Sequence, residues 1–253
     1  MVRHRSGVLA GNTAVGSMSL QLPFVGRGKE VARLQQLHAQ RKHVLILGPA
    51  GVGKSALIRH AACFLPLLVC PQSERLSGIC TSLEAQLGLC GTEQRLPERK
   101  RRLLRAVTEM GKTVVFDAVG GTTPKLSSFL GCVSQRVPVW IATRSEHSWD
   151  IGHFWTLLVR FARLELHPFH LAETRALVAA AVGAGQVPDA ALDAIERLHH
   201  LAAGLPRVLC ALLDGLAKGR YDPRRRFDLK LLDLDRRIEK LLVADESGTP
   251  LEP

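Results

Sequence analysis

The octapeptide Gly48-Pro49-Ala50-Gly51-Val52-Gly53-Lys54-Ser55 satisfies the Walker A pattern G-x-x-x-x-G-K-S/T without a mismatch. The chemistry it serves is phosphate binding. Its glycines let backbone N–H groups converge on phosphate oxygens, and a helix that starts there adds partial positive charge. Lys54 is placed to reach β- and γ-phosphates, Ser55 to offer a hydroxyl to Mg²⁺, and Ala56 to continue the cradle into the helix. A second acid-bearing element is Thr113-Val114-Val115-Phe116-Asp117, an apolar run ending in a carboxylate suited to the water shell of Mg²⁺. Ser55 and Asp117 are therefore the metal candidates, and ATP with Mg²⁺ is the expected ligand. The position after Asp117 is Ala118, followed by Val119-Gly120-Gly121. No second acid stands there to orient an attacking water, so hydrolysis is expected to be slow or completed by a partner. Glu74 is a candidate to face the γ-phosphate from the side.

The elements that must position these residues alternate along the chain. His43 to Leu47 reads as a buried parallel strand directly before the glycine-rich turn, and Lys54 to Phe64 reads as the helix after it. Strands are predicted at Leu67 to Cys70, Thr113 to Phe116, Pro138 to Ala142 and Ala162 to His167. Helices are predicted at Gly28 to His38, Ser77 to Leu87, Pro97 to Met110, Lys125 to Gln135 and Ile151 to Phe161. This alternation predicts an α/β fold: a P-loop NTPase core whose parallel sheet is flanked by helices. After Pro168 the strands stop. Leu171 to Val182, Pro188 to Leu201 and Leu205 to Ala217 read as a small C-terminal helical domain, and Leu229 to Val243 as a last charged helix. The expected organisation is a flexible tail at 1–22, the core at 23–168, the helical domain at 169–220, and a terminal helix and tail at 221–253.

Several of these segments resemble one superfamily. Phe24-Val25-Gly26-Arg27, with Glu30 and Leu34, resembles the start of AAA+ and STAND ATPases, which include origin-recognition-like and bacterial signalling ATPases. The resemblance implies that Val25 and Arg27 lie against the adenine. Val139-Trp140-Ile141-Ala142-Thr143-Arg144 looks like the fourth strand and its sensor end, which implies that Arg144 reads the γ-phosphate. Gly204-Leu205-Pro206-Arg207 resembles the lid motif of that superfamily, which implies the same for Arg207. Both are permanent cations able to pair bidentately with phosphate oxygens. Arg160 and Arg163 lie where related oligomeric ATPases carry an arginine finger. The resemblance covers about Pro23 to Lys218 and departs from pattern at Ala118.

Charge and composition bound the partners. Lys and Arg number 34 against 23 Asp and Glu, a net +11 that suits an anionic partner. Arg99-Lys100-Arg101-Arg102 with Arg105, and Arg224-Arg225-Arg226, are basic runs of the kind that contact nucleic-acid phosphates; a solvated basic surface is the plain alternative. Consecutive basic residues point around a helix, so DNA contact would be to the backbone with little base reading. No apolar run approaches the length that spans a bilayer, and the short apolar stretch after Arg3 and Arg5 is too brief for an export signal; Met18 is a plausible alternative start. The six cysteines (Cys63, Cys70, Cys80, Cys90, Cys132 and Cys210) form no metal-ligand spacing and read as reduced side chains of a cytoplasmic protein. The leading expectation is an ATP-binding conformational or assembly switch with a protein partner or ATP-dependent homo-oligomer. The alternatives are a DNA-associated ATPase assembling on DNA, and a nucleotide-binding interaction module without turnover.

Overall fold

Four four-residue, largely apolar runs become the strands β1 (Val44–Leu47), β2 (Leu67–Cys70), β3 (Thr113–Phe116) and β4 (Val139–Ala142), and a mixed run, Ala162-Arg163-Leu164-Glu165, becomes the edge strand β5 (Ala162–Glu165). They form one parallel sheet in the order β2-β3-β4-β1-β5. The computed structural model describes residues 20–71, 73, 75–89 and 95–246. The three inner strands are buried at every residue, whereas the edge strands are only partly covered. Continuous apolar runs are what a strand covered on both faces requires.

The helices, in chain order, are α1 (Gly28–Ala39), α2 (Lys54–Ala62), α3 (Leu76–Leu87), α4 (Leu96–Met110), α5 (Pro124–Ser134), α6 (Ser148–Ile151), α7 (Leu171–Gly183), α8 (Ile195–Ala202), α9 (Pro206–Ala217) and α10 (Arg226–Glu246). Successive strand residues point to opposite faces, so each face of the sheet collects its own helices. Leu45, Val114, Phe116 and Ile141 pack against α3, α4 and α5. Val44, Ile46, Val115 and Trp140 pack against α1 and α2. A third cluster, centred on Leu177, Leu198, Leu212 and Leu232, belongs to α7–α10 and also receives Leu20, Leu22 and Val25.

Two predicted helices are corrected. Ile151 to Phe161 is not one helix: α6 stops at Gly152, and a 3₁₀ turn runs from Trp155 to Arg160. Gly152 has φ 72°, and a Cβ there would lie 2.6 Å from the Thr122 carbonyl oxygen. The chain is pulled against Thr122 at this point, by His153 N–H donating to the Thr122 carbonyl, and cannot coil through it. Pro188 to Leu201 likewise divides into a 3₁₀ stretch, Asp189–Ala194, and α8.

The basic run on α4 is partly spent inside the protein. Arg99 donates to both Glu84 carboxylate oxygens on α3, Arg102 donates to one of them, and Lys100 lies over the Phe129 ring. The hydrogen bond from Arg99 holds the Glu84 carboxyl below its ordinary value of 4.5. A depressed folded value means the stabilisation is complete above the unfolded pKa and is lost as pH falls through the folded one. Glu84→Gln is therefore expected to cost about 1–2 kcal/mol at neutral pH, with the two urea unfolding midpoints converging as the solution is acidified. A constant difference across that range would show that Glu84 acts by packing alone.

Among the described residues no helix is long and apolar enough to cross a membrane, and no three or more His, Cys, Asp and Glu side chains come together to hold a metal ion. The cysteines among them are all free thiols. Glu74, Cys90, Met1 and Met18, each given a reading from sequence, lie outside the described residues.

Candidate functional site

The phosphate-type loop joins the C-terminal end of β1 to the N-terminus of α2, one strand in from the β5 edge of the sheet. Gly48 leaves the strand at φ 148°, with a hypothetical Cβ only 2.6 Å from the Leu166 carbonyl oxygen and 2.9 Å from Val52 Cγ1. Val52 is fully buried and anchors the loop from below. Lys54 turns back over the loop, its Nζ donating to the carbonyls of Gly48 at 2.6 Å and Pro49 at 3.0 Å. Burial lowers its pKa from the ordinary value; the Asp117 carboxylate opposes that shift and the Arg144 guanidinium adds to it. The ammonium is thus held in a confined place with two neutral acceptors, where an anion would be a stronger partner.

Above the loop opens a cleft of about 620 Å³. Ala50, Gly51, Lys54 and Ser55 form its floor, and Asp117 with Ala118 and Thr143 with Arg144 come from the ends of β3 and β4. Asp117 is nearly buried, and its Oδ1 accepts the Ala118 N–H at 2.9 Å. Ala118 itself takes a left-handed φ of 53°. Thr143 N–H donates to the Ile46 carbonyl, tying the β4 end to β1. The wall opposite is Arg207, in the first turn of α9. Its backbone N–H donates to the Gly51 carbonyl at 3.1 Å, and its Cβ lies 3.1 Å from where a Gly51 Cβ would stand. Three cations, Lys54, Arg144 and Arg207, share the cleft with the carboxylates of Asp117 and Asp150. This excess of positive charge suits a polyphosphate, and the oxygens of Ser55 and Asp117 on one side suit a small divalent cation. The residues fit a magnesium nucleotide.

A second cleft, of about 440 Å³, lies on the other side of the loop. Val25, Arg27, Gly53 and Ala56 line it together with Phe24 and His60. Phe24 and His60 are stacked at 4.1 Å between centroids. An apolar cleft with an aromatic pair accepts a flat ring. Arg27 has its guanidinium engaged elsewhere: it donates to the Val52 and His167 carbonyls and to Glu30, and it sits 4.9 Å from the Phe169 ring centroid. It joins the loop to the segment that leads into the helical unit.

The structure brings Gly48 through Ala56, Asp117, Arg144 and Arg207 to one place, with Val25 and Arg27 alongside. It does not bring Arg160 or Arg163. Arg163, on edge strand β5, pairs with Glu146. Arg160 precedes Ala162, whose N–H donates to the His43 carbonyl at the far end of β1. Its charge adds to burial in lowering the His43 pKa. Residues not singled out from sequence also line the cleft: Trp149, 75% exposed, and Asp150, whose carboxylate accepts from Ser145. Their signal was position alone, a few residues past Thr143-Arg144.

A parallel sheet ordered β2-β3-β4-β1-β5, a glycine-rich loop after its β1 strand and an attached helical unit whose arginine touches that loop make up a P-loop ATPase type of fold. The chain is similar to the ORC1 protein of Aeropyrum pernix in complex with DNA (17% identity, TM-score 0.59, 84% of this chain and 66% of that one). It is also similar to a Walker-type ATPase of Pyrococcus abyssi (16%, TM-score 0.63, 89% and 75%). A third similar structure is a STAND protein of Pyrococcus horikoshii with a tetratricopeptide repeat sensor (16%, TM-score 0.51, 85% and 33%). At these identities the likeness is one of fold, and the chain spans two thirds of the first protein and a third of the last. No protein-family model and no curated protein matches the sequence.

Proposed function

We propose that the chain binds ATP with Mg²⁺ and acts as a nucleotide-dependent conformational switch with slow turnover. The observation that carries this reading is the contact between Arg207 and Gly51. One residue of the helical unit rests on the loop that would hold the phosphates, so that unit is a lid positioned to register what the loop holds. Bound ATP supplies a γ-phosphate, whose loss changes the charge in the cleft. The backbone of Gly51 and Gly53, with Lys54, would hold the phosphates, and Ser55 and Asp117 the metal. Arg144 and Arg207 approach from the core and the lid respectively, so a γ-phosphate between them draws the two together and its loss lets them part. Ala118 leaves the position after Asp117 without a carboxylate, which favours slow hydrolysis or none. That the site acts on a protein partner or on self-assembly is part of this proposal.

Titration calorimetry with ATP–Mg²⁺ and ADP–Mg²⁺ tests it. Arg207→Ala is expected to weaken ATP by roughly tenfold, the worth of one charged hydrogen bond, and to leave ADP within about twofold. Equal loss for both nucleotides would mean that Arg207 supports the loop without reading the γ-phosphate.

A second reading, an ATPase that assembles on DNA, is favoured by one surface. Arg101, Arg105 and Arg136 line an open groove of about 380 Å³ on the outer side of α4. Arg101 and Arg105 are the α4 arginines left outward after Arg99 and Arg102 pair with Glu84, and Arg136 joins them from the segment after α5. Retention of a labelled duplex that requires ATP and falls steeply with salt is the signature of that reading.

A further inference from the structure

Helix α10 carries two apolar stripes on opposite sides. The inner one is occupied: Leu229 and Leu232 are buried in the lid cluster, and Leu232 packs on Gly215 of α9, which has no side chain to keep it away. Asp233, also buried, pairs with Arg236 and Arg237, and Tyr221 donates to Asp235. The outer stripe is Phe227, Leu231, Leu234, Ile238 and Leu241, all exposed, with Phe227 at 74% and Leu234 at 53%. Their spacing is 4-3-4-3. That is the heptad period, with Leu231 and Ile238 at a, and Phe227, Leu234 and Leu241 at d. A surface helix that had to face only the lid and water would carry polar residues there.

We propose that this outer stripe is the seam of a parallel, in-register two-helix coil between two copies of the chain. Flanking charge selects that occupant and that direction. The g positions are Lys230 and Arg237, and the e positions are Asp228, Asp235 and Leu242. In a parallel pair g faces e of the next heptad in the partner, which sets Lys230 against Asp235 twice, once from each copy. In an antiparallel pair g faces g and e faces e, which sets cations against cations and carboxylates against carboxylates. Leu at d with Ile238 at a suits two strands. Leu242, at the remaining e position, lets the aliphatic stem of Arg237 cover the end of the seam. The helix is 21 residues, about 31 Å at 1.5 Å per residue. A free coil that short is marginal because the helices must first form. Here docking on the lid has already ordered the helix, and because the two stripes are on opposite sides each lid stays clear of the seam.

The test uses the full chain without nucleotide, so its outcome is independent of the ATP reading. Sedimentation equilibrium is expected to show a reversible dimer at tens of micromolar, with Leu234→Glu monomeric and its helix content unchanged by circular dichroism. Lys230→Glu and Asp235→Lys each turn two attractive pairs repulsive and are expected to weaken self-association by roughly tenfold. Mixed in equal amounts they restore both pairs. The glutamate introduced in one chain faces the lysine introduced in the other, and the unchanged Lys230 of the second chain faces the unchanged Asp235 of the first. The mixture is therefore expected to form a heterodimer as tight as the wild-type dimer. Recovery in the mixture also separates the seam from the bond that Asp235→Lys loses to Tyr221, which the mixture does not repair. A monomer up to about 100 µM, a dimer that survives Leu234→Glu, or a mixture no tighter than its components would each overturn the proposal.

Discussion

Lys54→Ala is expected to weaken ATP–Mg²⁺ binding by about a hundredfold or more, while changing the stability of the protein by no more than about 1 kcal/mol. The asymmetry follows from where the ammonium sits. It is held at 2.6 and 3.0 Å from two neutral loop carbonyls, in a place whose burial already lowers its pKa. What the protein gains from those two bonds is offset by taking the charge out of water. A phosphate would meet the same ammonium as an anion, and charged hydrogen bonds are each worth about 1.5–3 kcal/mol. Removing the side chain therefore costs the ligand much more than it costs the fold. Calorimetric titration gives the first number and urea unfolding the second. ATP affinity within threefold of wild type would sink the assignment of the site.

Gly48→Ala has the opposite signature, a loss of about 3 kcal/mol or more in stability, with nucleotide binding lost as a consequence. At φ 148° an alanine is strained before any contact is counted. Its methyl would then overlap the Leu166 backbone oxygen at 2.6 Å and the buried Val52 side chain at 2.9 Å. Neither withdraws freely: Leu166 N–H is bonded to the Leu47 carbonyl at 2.8 Å, and Val52 is fully buried. Gly53 provides the comparison. Its φ is also positive, at 103°, but the nearest atom to a Cβ there is Pro206 Cγ at 3.9 Å. Gly53→Ala carries backbone strain without overlap and should unfold at a distinctly higher urea concentration than Gly48→Ala. Equal midpoints would show that strain alone, and not the Leu166 contact, sets the cost.

The glycine-rich loop was legible because its information is local. Eight consecutive residues, an apolar run before them and a helical run after them are visible in sequence, and the structure puts β1, the turn and α2 there. The inner strands were legible for the same reason: runs such as Val44–Leu47 are apolar at every position because both faces are covered. The break at Gly152 was not, because its cause is Thr122, thirty residues earlier. Nor was the engagement of Arg99 and Arg102 by Glu84, which turns part of a basic run into an internal tie between α3 and α4. Arg27 is the clearest case. Its motif placed it beside the ligand, and it does line the neighbouring cleft, but only the fold shows its guanidinium on the carbonyls of Val52 and His167, which lie far apart in the chain. The outer stripe of α10 was visible in sequence as a charged helix with leucines. Which leucines face α9 and which face outward depends on the docking of Leu232 against Gly215.

The strand that carries the glycine-rich loop is first in the chain yet lies inside the sheet, between β4 and β5. During synthesis β1 leaves the ribosome with neither neighbour made, and about ninety residues separate its end from the start of β4. At the usual 5–20 residues per second, that is roughly 5–20 s in which Val44-Leu45-Ile46-Leu47 has no strand to pair with. The first pair that can close is β2 with β3, at the edge. In chain order the sheet can therefore grow only from its β2 edge, through β3 and β4; β1 meets its first neighbour when β4 is made and its second when β5 follows.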